Sequence, residues 1–200
     1  TDEQGWSDGL GGEADLRVFR ALRALADAIL VGATTVRTGR VGPHRPRATL
    51  RQRRVAAGKP PTAPIVVFTR SMRLDWSHRL FTEAASATIV VTCAAAATRR
   101  PAAPVRLLVA GEEQVDLADA VRRLRREYGL RHLLCEGGPA LATGLLAEGL
   151  VDELCLTVAP TLLGTRHHTP AVGDLPGRLE PSLSALYEDE GSIFVRYRLQ

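Results

Sequence analysis

The sequence predicts an α/β fold with a mostly parallel central sheet and a C-terminal antiparallel hairpin. Short apolar runs of strand length recur along the chain, and helical patterns with apolar residues three or four apart separate them. The closing stretch LYEDEGSIFVRYRL alternates with period two about a turn. Continuous apolar runs, rather than alternating ones, indicate parallel strands covered on both faces.

The elements follow in order. Glu13 to Ala26 reads as a helix whose apolar stripe is Leu16, Phe19, Leu22 and Leu25, with Arg17, Arg20 and Arg23 elsewhere. DAILVG (Asp27–Gly32) is a buried strand, and ATTVRTG opens a turn or helix. Residues 39–64 form a long connection with one helical stretch near Ala48–Ala57, stopped by Gly58 and Pro60-Pro61. PIVVF (Pro64–Phe68), ATIVV (Ala87–Val91) and VRLLVA (Val105–Ala110) are further strands, the last following a spacer of Ala and Pro. Asp116 caps a helix that runs to Tyr128 and ends at Gly129. RHLLC is the fifth strand, Ala140 to Ala147 another helix, and DELCLTVAP (Asp152–Pro160) the sixth strand. The hairpin presents Leu186, Ile193, Val195 and Tyr197 around the turn Asp189-Glu190-Gly191.

The 200 residues suit one layered domain, since no repeat or linker divides them. Hydrophobic content of 45% and charged content of 24% are ordinary for a globular protein. No apolar run approaches the ~20 residues that span a bilayer. The polar, glycine-rich start does not read as a signal peptide, and Cys93, Cys135 and Cys155 read as buried thiols of a cytoplasmic protein. The net charge of +4 conceals an asymmetry: no acid lies between Asp27 and Asp75, a stretch that holds ten of the basic residues from Arg37 to Arg73. Such a field fits an anionic partner or a solvated arginine-rich loop. Nucleic acid is disfavoured because aromatic platforms for base stacking are absent there.

Ligands of open α/β sheets bind at the carboxyl ends of strands, and three strands here end in chemically loaded turns. Gly32-Ala33-Thr34-Thr35 offers hydroxyls and backbone N–H groups at a helix start. Thr69-Arg70-Ser71 combines two hydroxyls with a guanidinium, whose fork matches a phosphate such as the ribose 2′-phosphate of NADPH. Glu136-Gly137-Gly138-Pro139 admits a close ligand, and the helix beginning Pro139-Ala140-Leu141 turns free N–H groups toward an anion. Each turn alone fits a structural cap equally well; all three at strand ends of one sheet favour a dinucleotide. Glu136 would repel a phosphate, so it suits the amide or amino N–H groups of a heterocycle. No GxGxxG or P-loop is present. His44, His167 and His168 lack metal-ligand spacing, His78 and His132 stand alone, and no metal is expected.

ALRALADAILVGATTVRTG, VVFTRS and LLCEGGPALATGLLAEGLVDELCLTVAPTLLG resemble the reductase domain of bacterial riboflavin biosynthesis, a dihydrofolate-reductase-like family. The closing LYEDEGSIFVRYRL matches that family's usual end, so the resemblance covers nearly the whole chain. It implies a three-layer α/β fold with a central sheet of about eight strands, commonly a homodimer. It also implies hydride transfer from NADPH to the ribose carbon of a phosphorylated ribosylamino-pyrimidine, of the 5-amino-6-(5-phosphoribosylamino)uracil type. By the same likeness, Gly32, Ala33, Thr34 and Thr35 line the cofactor cleft and Thr69, Arg70 and Ser71 hold the adenosine-side phosphate. Gly137, Gly138, Pro139, Ala140 and Leu141 cradle the pyrophosphate. Glu136 faces substrate and nicotinamide and serves, itself or through a water, in proton delivery. The family pattern opens on a strand with a Ser-x-Asp-Gly-type sequence; EQGWSDGLGG resembles the turn after it, so that strand is expected to be missing before residue 1. TGRVGPHRP is basic where many members carry an acidic or aromatic substrate-contacting segment. That departure keeps two alternatives open: a reductase of a related pterin-type heterocycle, and a non-catalytic nucleotide-binding module.

Overall fold

The computed structural model describes residues 10–38, 41–162 and 170–199. His167, His168 and part of the basic segment after Thr38 lie outside them. Five parallel strands form one sheet in the order β4-β3-β2-β1-β5. They are β1 (Ala28–Gly32), β2 (Ile65–Phe68), β3 (Ile89–Thr92), β4 (Arg106–Val109) and β5 (Leu133–Cys135). The apolar runs are continuous because both faces are covered. Ile29, Val31, Ile65, Val67 and Val90 pack on one side with Val36, Met72, Leu80, Phe81 and Ala96. Leu30, Val66, Phe68, Ile89 and Val91 pack on the other with Ala120, Leu124, Leu141 and Leu145. The sheet is therefore the middle of three layers.

The helices are α1 (Glu13–Leu25), α2 (Ala33–Arg37), α3 (Ala48–Ala56), α4 (Arg79–Thr82), α5 (Ala94–Ala97), α6 (Leu117–Tyr128) and α7 (Pro139–Ala147). α6 follows its sequence signals closely: the Asp116 carboxylate accepts from Asp119 N at 2.7 Å, and Gly129 leaves in the left-handed region at φ 70°. α4 and α5 are single turns, before and after β3 in the chain and packed on the same face of the sheet, and the Ala-rich α5 hides within what the sequence presents as a spacer.

The family likeness implied about eight strands in one central sheet; among the described residues the central sheet has five, and three more form a second sheet. β6 (Glu153–Val158), β7 (Ser182–Asp189) and β8 (Ser192–Arg198) form a separate antiparallel sheet in the order β6-β8-β7. Among the described residues no ladder joins β5 to β6, and each is an edge strand. Register puts Leu154, Leu156 and Val158 on one face beside Tyr197, Val195 and Ile193, with Leu183 and Leu186 completing the rows. Much of that face is open: Leu183 and Leu186 are more than half exposed.

α1 departs from the periodicity-based expectation. Ala14 is its buried residue, whereas Leu16, Phe19 and Leu25 of the expected stripe are exposed. Gly12 offers no side-chain cap, and the start of α1 is instead closed from the far hairpin: Ala14 N donates to Glu190 Oε2 at 3.2 Å, and Arg17 pairs with Asp189 and Glu190.

Arg54, counted with the basic cluster, is not on the surface at all. It is 1% exposed and donates to the carbonyls of Ala24, Ala26 and Pro60, closing the carboxyl end of α1. Arg45 pairs with Glu83. Lys59 pairs with Asp27, so the basic face that remains is smaller: Arg54 is buried, and Arg45 and Lys59 are neutralised by acids.

Candidate functional site

β1 lies between β2 and β5, and all three run in the same direction, with Gly32 opposite Phe68 and Leu30 opposite Cys135. Their carboxyl ends therefore share one rim, and the turns at 32–35, 69–71 and 136–141 stand side by side on it.

The first and third turns touch. Gly32 N donates to Gly137 O at 2.8 Å, and Glu136 N to Leu30 O at 3.0 Å. A Cβ on Gly32 would sit 3.5 Å from Gly138 N, and one on Gly138 would sit 3.1 Å from Thr35 Oγ1. Gly137 has φ 88°, a conformation that glycine alone adopts without strain, and its peptide bond to Gly138 is cis. The two bare backbones approach each other closely, with no side chain of either glycine between them. α7 begins there with Gly138 as its cap and Pro139 in its first turn. Gly138 O accepts from Leu141 N and Ala142 N, while Ala140 is exposed at the helix start. Leu141 is buried and anchors the first turn in the core. Ala33 is buried at the start of α2, and Thr34 and Thr35 follow it at the rim. The Thr34 hydroxyl accepts from Arg37 Nη2 at 2.9 Å, and Arg37 Nη1 reaches Arg73 O. This guanidinium bridges the first turn to the second, a contact that nothing in the sequence spacing announces.

In the second turn the three residues divide their tasks. Thr69 is buried, and its hydroxyl accepts from Met72 N at 3.1 Å, so it shapes the loop. The Ser71 hydroxyl accepts from Arg73 N. Arg70 is exposed and has no ion pair among the described residues.

Glu136 is held rather than free. Arg23 donates Nε to Oε1 at 2.6 Å and Nη2 to Oε2 at 2.5 Å, and its guanidinium lies 4.4 Å from the Phe19 ring centroid. The Glu136 side chain is 10% exposed, so the fork is shielded from bulk water. A planar guanidinium gripping both oxygens fixes the carboxylate plane. The helical spacing puts Arg23 off the apolar stripe and no more, because its partner is 113 residues away and invisible to local spacing. Just before the acid, burial pushes the Cys135 thiol up, with the nearby Glu136 charge adding to the effect. That thiol is a neutral lining group.

The residues present fit a dinucleotide. Two glycine backbones leave the rim bare of side chains, a helix start and an arginine without an ion pair among the described residues offer anion contacts, and an oriented acid stands beside them.

Comparison with known proteins gives one consistent family. The model of the RibD C-terminal domain matches residues 1–188. A 2,5-diamino-6-ribosylamino-4(3H)-pyrimidinone 5′-phosphate reductase from Archaeoglobus fulgidus is 34% identical over 164 residues, covering 81% of this chain and 74% of the relative. A reductase of the same description from Methanothermobacter thermautotrophicus is 34% identical over 162 residues, 80% of this chain and 71% of the relative. Among solved structures, a pyrimidine reductase-like protein from Corynebacterium diphtheriae superposes with a TM-score of 0.82 at 26% identity, covering 98% of this chain and 85% of that one.

Proposed function

Because the chain belongs to the RibD C-terminal domain family, we propose that it is an oxidoreductase that uses NADPH to reduce a ribosylamino-pyrimidine 5′-phosphate in riboflavin biosynthesis. The observation that carries this is the shared rim: β1, flanked in parallel by β2 and β5, sets a phosphate-competent turn, an unpaired arginine and an oriented acid beside one another. The archaeal relatives are named for the 2,5-diamino-pyrimidinone rather than for the deaminated uracil of the sequence-based expectation. Both heterocycles present ring N–H or amino donors to a carboxylate, and the extra 2-amino group gives the diamino compound one donor more.

Gly32, Ala33, Thr34 and Thr35 line the cofactor site, and Gly137 to Leu141 cradle the pyrophosphate, with Gly138 and Ala140 supplying backbone donors since Pro139 has no N–H and Leu141 N is given to Gly138 O. Arg70 takes the ribose 2′-phosphate, with Thr69 and Ser71 holding its loop in shape. Bound in this site, the reduced nicotinamide supplies the hydride. Net reduction breaks the bond between the ribose carbon and its ring oxygen, delivers one hydride to that carbon and one proton to the freed oxygen. Glu136 orients the amino-pyrimidine by accepting its N–H groups, and a water held beside the carboxylate gives its proton to the freed oxygen and is left as hydroxide, which solvent reprotonates. Arg23 keeps its carboxylate plane fixed for this.

The test is loss of absorbance at 340 nm on mixing protein, NADPH and either pyrimidine phosphate. Turnover with one of them, and a fall in kcat of ~10²-fold or more in Glu136→Gln, is the expected outcome. Absence of NADPH binding below millimolar concentration would defeat the reading. The open apolar face of β6, β8 and β7 supports a homodimer joined there. Of the three cysteines expected to be buried only Cys93 is, Cys135 being half-buried and Cys155 an exposed residue of β6; none is in a disulfide, which fits a cytoplasmic setting.

A further inference from the structure

The geometry points to Arg99 as a second specificity-determining residue for the cofactor's 2′-phosphate, working as a pair with Arg70; this rests on the cofactor reading above. Arg99 follows α5, beyond the end of β3, and the chain turns tightly there: Arg99 N donates to Ala96 O. Its side chain reaches back toward the tip of β2, where Nη1 donates to Ser71 O at 2.7 Å. One donor of the fork is thus fixed on the backbone of the Thr69–Ser71 turn, and the rest has no partner among the described residues. Arg99 is exposed and forms no ion pair among them. Arg99 therefore presents solvated, unengaged donors beside the Thr69–Ser71 turn, where an anion can exchange for water.

The loop that holds the pair is rigidly set from β3. Thr69 N donates to Val91 O at 2.9 Å, and the Cys93 thiol lies 3.7 Å from Arg70 O. The carbonyls of Arg70 and Ser71 are therefore both engaged from the β3 side, one by Cys93 and the other by Arg99. Together with the Thr69 N–H, these contacts hold the backbone of the turn against β3 while the Arg70 side chain stays exposed. Arg37 occupies the opposite flank, tied to Thr34 and Arg73. A dianionic phosphate seated at this loop meets Arg70 from the loop itself and Arg99 from the neighbouring strand end. NADH offers nothing for either to bind, so Arg99 contributes to choice between the cofactors and not to hydride transfer.

The experiment measures dissociation constants of the full chain for NADPH, NADH and 2′,5′-ADP by titration calorimetry, in wild type, Arg99→Ala, Arg99→Lys and Arg70→Ala. Arg99→Ala is expected to weaken NADPH and 2′,5′-ADP about tenfold or more, leave NADH unchanged, and regain part of the loss in Arg99→Lys. Unchanged NADH binding also shows that the variant is folded. Equal weakening of both cofactors would make Arg99 a loop brace and overturn the proposal, as would no change in either. If Arg70→Ala erases the preference while Arg99→Ala keeps it, the loop reading stands and Arg99 alone is excluded. If wild type itself shows no preference between NADPH and NADH, both fall together.

Discussion

His44 shows how one buried side chain can set a pH dependence. It is 5% exposed and accepts from Ala63 N at 2.9 Å through Nδ1, so the neutral ring must carry its proton on Nε2. Burial, with the charges of Arg54 and Arg23 behind it, lowers its pKa from 6.5 to about 4. The unfolded chain therefore takes up this proton first as pH falls. Stability is whole above pH 6.5 and drains away toward pH 4, by about 3 kcal/mol in total. Urea titrations between pH 7 and 4 should show that slope, and His44→Asn, whose Oδ1 can replace Nδ1 as acceptor, should flatten it. Asp27 acts in a lower window. Burial raises its pKa, but the Lys59 hydrogen bond and the backbone donors of His132 and Arg131 outweigh it and bring it to about 2. Its contribution is complete above pH 3.8 and lost only as pH falls through 2, so the two transitions separate in one titration.

At the scale of elements, the parallel strands were legible because the physics that buries them writes itself locally as VVF or IVV. The three loaded turns were legible for the same reason, since glycine, proline and hydroxyl residues mark strand ends in any sequence. What failed was anything decided by distant chain. The α1 stripe reads as core, yet Leu16, Phe19 and Leu25 are exposed, because periodicity reports a face without reporting whether another element covers it. Arg54 reads as surface and is core, because its satisfaction depends on carbonyls some thirty residues away. Arg23 and Arg99 join the site through contacts 113 and 28 residues long. The glycine turn gives a prediction on this scale. Gly137→Ala must take φ 88° with a Cβ, so it should lose about 1–2 kcal/mol in chemical denaturation. Gly32→Ala meets only ordinary contacts, the nearest at 3.5 Å, and should unfold like wild type while binding NADPH more weakly.

For the molecule as a whole, the division into sheets of five and three strands leaves its mark on the surface. The five-stranded sheet has a core on each face, whereas the three-stranded sheet keeps a face of Leu156, Val158, Leu183, Leu186 and Ile193 in the open. Contiguous apolar area of this kind marks an interaction surface rather than a tolerated exposure. Light scattering should therefore return twice the 21.6 kDa chain mass, and Leu186→Glu should move the protein toward monomer with its circular dichroism intact. A monomeric wild type at all concentrations would require a different occupant for that face. Among the described residues no helix is long and apolar enough to cross a membrane.

The clasp between Glu190 and the start of α1 has a temporal side as well. The two groups are 176 positions apart, so a ribosome adding ~5–20 residues each second exposes the helix for roughly ten to thirty seconds before its cap has been made. Arg23, near the other end of that helix, is what steadies the acid at the rim. The helix that carries Arg23 thus waits on a hairpin made much later, and damage to that hairpin would be felt at the rim, far from where it was done.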